Sequence, residues 1–363
     1  METLKDQRAF MSESILHLMR GALEAPDVPS AVTPILQELV DRTAAAGSAY
    51  FQSSGLSPAY HARAAAGDLP EGESMAAILA HGLPAETPLM QALRRARLPL
   101  FYDDTLASPD TLGFPDLGVC SLAAAPVRSR EGVLIGAFLM HTFVPHVWSA
   151  GEAGLFTTVG ETLTGLTARL AAEEAAVSAR ESALRALGLG LEYKDRETRG
   201  HTDRVTHLAL RLGTRIGLDT GALQALRWGS YLHDIGKLAV PDHILLKPGR
   251  LDAQERAAMQ EHVTEGERFA DALDFLPQAA RDVISGHHER WDGTGYPRGL
   301  QGEQIPYAAR LFALCDVYDA LTSVRPYKAA WTHQAALTEI GAQAGHHFDP
   351  QLCELFLRQL TDA

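Results

Sequence analysis

Cysteine is scarce and unpatterned in this chain. Cys120, Cys315 and Cys353 are odd in number and show no C-x-x-C spacing. That excludes a disulfide framework and fits a reducing compartment. Positive charge is also short: 32 Lys and Arg face 45 Asp and Glu, a net charge of −13. Binding to a nucleic-acid polymer needs clustered cations, so that class is excluded. A small phosphorylated ligand is not excluded, because bound metal ions supply positive charge locally. Long apolar runs are missing too. The longest, residues 133–144, is too short to span a bilayer and contains His141. The first residues, Met1-Glu2-Thr3-Leu4-Lys5-Asp6, lack the basic start and apolar run of a secretory signal. A cytoplasmic protein without membrane contact is the expectation.

What is present is enough chain for two domains, since 363 residues exceed the usual single-core size. Histidine divides the molecule, with five of the 15 in residues 1–180 and ten in 181–363. The first part mixes helix and strand signals. Residues 31–43 place Val32, Ile35, Leu36, Leu39 and Val40 on one helical face. Strands are expected at residues 49–51, 100–102, 121–128 and 132–142, the last two joined by Ser129-Arg130-Glu131. A helix begins after Trp148-Ser149, with Ser149 as its N-cap.

That helix carries a heptad row of Phe156, Leu163, Leu170, Val177, Leu184 and Leu191. Val159, Leu166 and Leu187 lie three positions further on, while Glu173 and Arg180 interrupt the second row. Such spacing favours a coiled-coil seam and hence a homodimer; the plain alternative is one amphipathic helix packed on its own domains. Gly188 and Gly190 are expected to end or bend it. Beyond it the chain reads as helical, at residues 201–216, 222–233, 308–323 and 334–342, with Pro241, Pro248, Pro277, Pro297 and Pro306 in the connections.

Imidazoles and carboxylates stand out in this part. Glu197 and His201 are four apart and share a helical face. His233-Asp234 and His287-His288 are adjacent pairs; on a helix neighbours diverge by about 100°, so each pair can serve two ions or bridge them. His262 and Asp316 bring the candidate ligands to eight. One ion takes roughly four to six, so two or three ions are expected. His207, His243, His333, His346 and His347 read as structural or exposed.

These residues sit in a longer frame. It runs Leu232-His233-Asp234-Ile235-Gly236-Lys237, then His262, then His287-His288-Glu289-Arg290-Trp291-Asp292-Gly293-Thr294-Gly295-Tyr296-Pro297. Asp316-Val317-Tyr318-Asp319-Ala320-Leu321-Thr322 and Arg325-Pro326-Tyr327-Lys328 complete it. The frame closely resembles the HD-GYP family of cyclic-di-GMP phosphodiesterases, within the HD hydrolase superfamily. The earlier order, with Leu122-Ala123-Ala124-Ala125-Pro126-Val127 and Gly132-Val133-Leu134-Ile135-Gly136-Ala137, resembles a GAF sensor domain.

The resemblance implies an α+β GAF-like domain (an antiparallel sheet with helices), a long linker helix and an all-α HD-GYP bundle. The implied division is residues 1–27 as an N-terminal helical segment, 28–160 GAF-like, 161–190 linker and 191–363 catalytic. It implies metal ligands at His233, Asp234, His262, His287, His288 and Asp316, with Glu197 and His201 for a third ion, the metal being iron or manganese. Ligand chemistry alone also permits cobalt or zinc. Asp234 is expected to bridge. Lys237 is expected to stabilise transition-state charge or the leaving oxygen, or else simply to pair with a ligand carboxylate. Gly293, Gly295 and Pro297 shape the pocket, Tyr296 stacks on a guanine or packs under the loop, and Arg325 and Lys328 hold phosphates. The implied reaction opens cyclic-di-GMP to pGpG, GMP or both, under control of an unknown small ligand of the GAF-like domain. The alternatives are hydrolysis of another cyclic dinucleotide, or a catalytically silent HD-GYP adaptor.

Overall fold

The computed structural model describes residues 21–25, 27–53, 59–129, 131–195, 200–324 and 329–361. The chain forms two compact units, Met1–Ala176 and Val177–Ala363.

In the first unit, α1 (Val28–Arg42) starts where the Asp27 side chain accepts the Ser30 N–H at 2.8 Å, with proline in the first turn. Proline's fixed φ suits that position, which places the start earlier than apolar spacing alone suggests. Six strands form one antiparallel sheet: β1 (Gly47–Ser53), β2 (Ala59–Gly67), β3 (Leu83–Pro84), β4 (Leu100–Tyr102), β5 (Ser121–Arg128) and β6 (Leu134–Thr142). Their spatial order is β3-β2-β1-β6-β5-β4. Strand alternation gives the sheet two faces. Tyr50, Ala123, Ala125, Phe138 and Met140 share one core with α1 and the start of the long helix. Ala49, Phe51, Leu122, Ala124, Ala137 and Leu139 share the other with Leu89, Met90 and Leu93 of α3 (Pro88–Arg95). Met75 lies on α2 (Glu73–His81). The sequence did not signal β2, because Ala-Tyr-His-Ala-Arg-Ala-Ala-Ala-Gly has no branched residue and no clean apolar alternation.

The long helix α4 (Ala150–Asp195) begins at a reciprocal cap. Ser149 Oγ accepts the Glu152 N–H at 3.3 Å while the Glu152 carboxylate takes the Ser149 N–H at 2.9 Å. The same carboxylate also accepts the Ala44 N–H at 2.9 Å. Two expectations for this helix need correcting. It does not end at Gly188 or Gly190 but runs on to Asp195. Gly188 instead allows close approach, since a Cβ there would lie 2.4 Å from the Tyr231 carbonyl oxygen. The heptad row proposed as a dimer seam is buried by the chain itself. Phe156, Val159, Leu163, Leu166 and Leu170 belong to the first unit's core, and Leu184, with Val177 beside it, to a core of the second. Among the described residues no helix is long and apolar enough to cross a membrane.

The second unit is helical: α5 (His201–Arg215), α6 (Thr220–Leu232), a 3-10 turn (Ile235–Ala239), α7 (Asp242–Leu245), α8 (Ala253–Gln260), α9 (His262–Asp271), α10 (Gln278–Gly286), α11 (Tyr307–Thr322), α12 (His333–Ala342) and α13 (Pro350–Thr361). Val205, Leu212, Leu226, Val283, Phe312 and Phe356 form its main core. This packing sets helix termini side by side; His201, His233, Asp234, His262, His287 and His288 lie at those termini, and Asp316 lies inside α11.

Candidate metal centre

Local structure explains why the ligands converge. Asp234 leaves the helical path of α6 at φ −100°, ψ 6°, and opens the 3-10 turn. That turn presses on the start of α9, where a Cβ on Gly236 would lie 1.8 Å from the His262 carbonyl oxygen. Only glycine permits the approach, and the approach brings His262 beside Asp234. His287 is the cap residue of α10, and His201 opens α5. The start of α5 is held by Glu192 of α4, whose two carboxylate oxygens accept the Gly200 N–H at 2.8 Å and the Thr202 N–H at 2.7 Å.

Two ligand groups result. One contains Asp234, His262, His287 and His288; the other contains His201, His233 and Asp316, with ligand atoms within 4.8 Å of each other in each group. Asp234 stands between them. Its Oδ2 is 3.1 Å from His233 Nε2, and its Oδ1 is 3.2 Å from His262 Nε2 and 3.7 Å from His287 Nε2. His201 Nε2 lies 3.5 Å from Asp316 Oδ1.

The opposite ring nitrogens identify the tautomers. His233 Nδ1 lies 2.9 Å from the Ser230 carbonyl, His262 Nδ1 2.7 Å from that of Met259, and His287 Nδ1 3.1 Å from that of Ile284. A carbonyl only accepts, so Nδ1 carries the proton and each Nε2 turns a lone pair inward. His201 Nδ1 likewise faces Asp319 Oδ2 at 2.7 Å. Nε2 of His233, His262 and His287, and Oδ1 of Asp234, are buried without a hydrogen-bond partner. Orphaned acceptors converging in a buried space cost free energy unless a cation shares them. The donor set therefore fits divalent metal, with hard-to-borderline nitrogen and oxygen ligands.

Charge is tuned to match. Burial opposes ionisation of Asp234, but Lys237 and His233 outweigh it and hold the carboxyl well below the usual range. Burial also opposes charge on His233, yet Asp234 dominates and pushes it up to about 9, so a proton and a metal ion compete for the one Nε2 lone pair. Burial lowers His287, and burial with the neighbouring His287 lowers His288 further. Asp319 falls to about 2: burial opposes this, while His201 and Arg204 more than compensate.

Lys237 Nζ sits 2.7 Å from Asp234 Oδ2 and 3.1 Å from Asp195 Oδ2, so it pairs with the central carboxylate. Tyr296 stacks on the His288 ring with centroids 4.7 Å apart, which covers one ring face. Its loop is clamped by Glu289, whose carboxylate accepts the Arg298 N–H at 2.8 Å and the Leu300 N–H at 3.0 Å. Gly293 has φ +79°, and a Cβ on Gly295 would lie 2.3 Å from Arg290 N, so both glycines are required by the turn. Pro297 follows Tyr296 on the exposed side. Glu197, Arg325 and Lys328 lie outside the described residues. His207, His243, His333, His346 and His347 stay out of both ligand groups.

Sequence reasoning missed several supporting residues. Asp319 orients His201 and is itself held by Arg204, with Nε 2.7 Å from Oδ1. One signal was available, since Asp319 follows Asp316 by a helical turn and shares its face. Glu192, Asp195 and Arg204 carried no signal, because their partners are brought in by packing.

Residues 190–352 match the model of the HD domain family. The chain is 45% identical over 172 residues to the 3'3'-cGAMP-specific phosphodiesterase 2 of Vibrio cholerae, covering 47% of this chain and 33% of that protein. It is 40% identical over 203 residues to the cyclic di-GMP phosphodiesterase response regulator RpfG of Xanthomonas campestris, 55% of this chain and 54% of that protein. The chain thus spans a third of the first relative and about half of the second. Its fold is also similar to a GAF domain from a Coxiella burnetii phosphoenolpyruvate-protein phosphotransferase, at 18% identity and a TM-score of 0.38, covering 46% of this chain and 96% of that one. The second unit thus carries an HD domain, over residues 190–352.

Proposed function

We propose that this chain hydrolyses the phosphodiester bonds of a cyclic dinucleotide, cyclic-di-GMP above all, giving pGpG, GMP or both. The observation that carries the reading is the set of buried, unpaired Nε2 and carboxylate atoms centred on Asp234. His201, His233, Asp234, His262, His287, His288 and Asp316 would hold the metal. Divalent ions bound there supply Lewis acidity toward the phosphoryl oxygens and lower the pKa of the attacking water. Iron or manganese suits the donor set, with Glu197 the residue on which a third ion depends.

The chain's own groups then have separable tasks. Asp234 turns Oδ2 toward His233 and Oδ1 toward His262 and His287, so it would hold metal on behalf of both ligand groups. Lys237, beside Asp234, places a cation where negative charge develops on the phosphoryl or leaving oxygen. Asp319 and Arg204 keep the His201 ring in one tautomer and orientation, as outer partners of metal-ligating histidines do. Tyr296, with one face on His288, offers only its other face to a base; Arg325 and Lys328 are assigned to the phosphates. The first unit would regulate turnover through a small ligand.

A second substrate reading has specific support. The relative at 45% identity is named for 3'3'-cGAMP, whereas RpfG is named for cyclic di-GMP. An adaptor without activity is disfavoured because every described ligand position retains a metal-binding residue. One assay separates these readings. Chain loaded anaerobically with iron or manganese is given cyclic-di-GMP and 3'3'-cGAMP in parallel, and products are resolved by chromatography. Faster turnover of cyclic-di-GMP supports the main reading, and a reversed preference replaces it with the second. No turnover of either by fully loaded protein leaves the adaptor.

A further inference from the structure

The first unit has a partly open cavity of about 310 Å³ against one sheet face. It is lined by Phe51, Leu122 and Leu139 of the sheet, by Met75 and Ile78 of α2, and by Phe114. A cavity of about 150 Å³ holds one benzene and stays dry when its lining is apolar, so this one has room for roughly two fused rings. The volume is at the lower end of small-molecule sites, about 300–1,000 Å³.

Charge and hydrogen bonding narrow the occupant. Among the described residues that line the cavity there is no lysine or arginine, and the one ionised group type is the carboxylate of Asp116 at the exposed rim. An anion would lose its hydration here with no cation to replace it. Phosphates, carboxylates and cyclic nucleotides are therefore disfavoured. One buried polar side chain lines the wall, His141, which is 5% exposed. Its Nε2 donates to the Asp68 carbonyl at 3.1 Å, so Nδ1 is the acceptor nitrogen. Burial lowers the pKa of this imidazole, which keeps it neutral near pH 7.

We infer that this cavity is a binding site for a neutral, largely apolar molecule of about two rings carrying one hydroxyl or N–H donor for His141 Nδ1. The cavity chemistry stands independently of the phosphodiesterase reading; only its regulatory consequence rests on that reading. The site would then report the presence of an uncharged aromatic or terpenoid-like metabolite rather than a nucleotide.

The full-length chain is titrated with 2-naphthol, naphthalene and 2-naphthoate, followed by calorimetry and by spectra of methionine methyl groups labelled with ¹³C. The expected result is that 2-naphthol binds at least tenfold more tightly than 2-naphthoate and shifts the Met75 methyl while leaving Met90, which does not line the cavity, in place. His141→Phe should bring 2-naphthol down to the affinity of naphthalene, and Ile78→Trp should abolish binding of both. The wild-type Met75 shift needs no variant, so a misfolded Ile78→Trp chain does not blunt the test. Equal binding of naphthoate overturns the neutrality of the site. Failure of both naphthol and naphthalene to move Met75 at millimolar concentration overturns the site itself. Binding that leaves phosphodiesterase turnover unchanged upholds the site and removes only the regulatory role.

Discussion

Histidine does opposite work in the two units, and the difference lies in which ring nitrogen is tied to the backbone. In the second unit, Nδ1 of His233, His262 and His287 faces backbone carbonyls, so the Nε2 lone pairs converge on Asp234 and stay unpaired. In the first unit, Nε2 of His141 donates to the Asp68 carbonyl, which leaves Nδ1 as the acceptor nitrogen of a residue that lines an apolar cavity. Several unpaired acceptors together call for a cation, whereas one acceptor among phenylalanine and leucine calls for a single donor on a neutral ligand. Residue type alone cannot separate these roles; anchoring and neighbours do.

Four measurements can break or sharpen that contrast. The largest effect belongs to His233→Ala/Asp234→Ala, which removes the residues at the junction of the two groups. Turnover should fall by roughly three orders of magnitude or more, with loss of bound metal by elemental analysis. His141→Phe should leave both unchanged, and metal loss in that variant would erase the distinction drawn between the units.

Metal removal comes next. Ligand binding to the native state stabilises it by about 4 kcal/mol when the ligand is present at a thousand times its Kd. Chelation should therefore speed amide exchange in α6, α9 and α10 while the sheet of the first unit stays protected. Uniform acceleration in both units would contradict a site confined to the second. A smaller change is expected for Asp319→Asn, which weakens the hold on His201. Metal affinity should drop by roughly 10- to 100-fold with the fold intact by circular dichroism. An unchanged affinity would reduce Asp319 to a packing role.

The smallest effect concerns protons away from any metal. Burial opposes the charge on Glu152, but N–H groups of Ala44 and Ser149 and the Ser149 hydroxyl hold its pKa at about 2, below the ordinary value. A carboxyl depressed on folding contributes stability that is complete above its unfolded pKa and is lost as pH falls toward the folded one. Glu152→Gln should thus flatten the loss of first-unit stability between about pH 5 and pH 2, read from thermal melts. The second unit's melt should keep its own acid profile, and a parallel change there would count against independent local control.

Some of this architecture was legible because it rests on local rules. The strand at Ser121–Arg128 follows from an apolar run ended by a turn, and the start of α4 from Ser149 with Glu152 three residues on. The heptad row was visible too, but periodicity reports only that one helix face is covered. Whether a second chain or the chain's own cores cover it depends on packing, and here Phe156, Leu163 and Leu184 face intrachain cores. Gly188 was misjudged for the same reason: intrinsic propensity counts against glycine in a helix, while the neighbouring Tyr231 backbone leaves no room for a Cβ.

By itself, the sequence determined the ligand chemistry of the second unit, because imidazole and carboxylate identity and order are properties of the chain. It also determined which family frame those residues belong to. Carbonyls three residues upstream set the tautomers of His233, His262 and His287 locally, but only the tertiary structure decided how the candidate ligands group around Asp234 and that Asp319, Arg204 and Glu192 support them. Those outcomes depend on side chains from other helices, some more than a hundred residues away along the chain, such as the His201–Asp319 pair with a separation of 118. The cavity beside His141 is likewise a product of packing, since no local pattern records the space left between a sheet face and the segments laid across it.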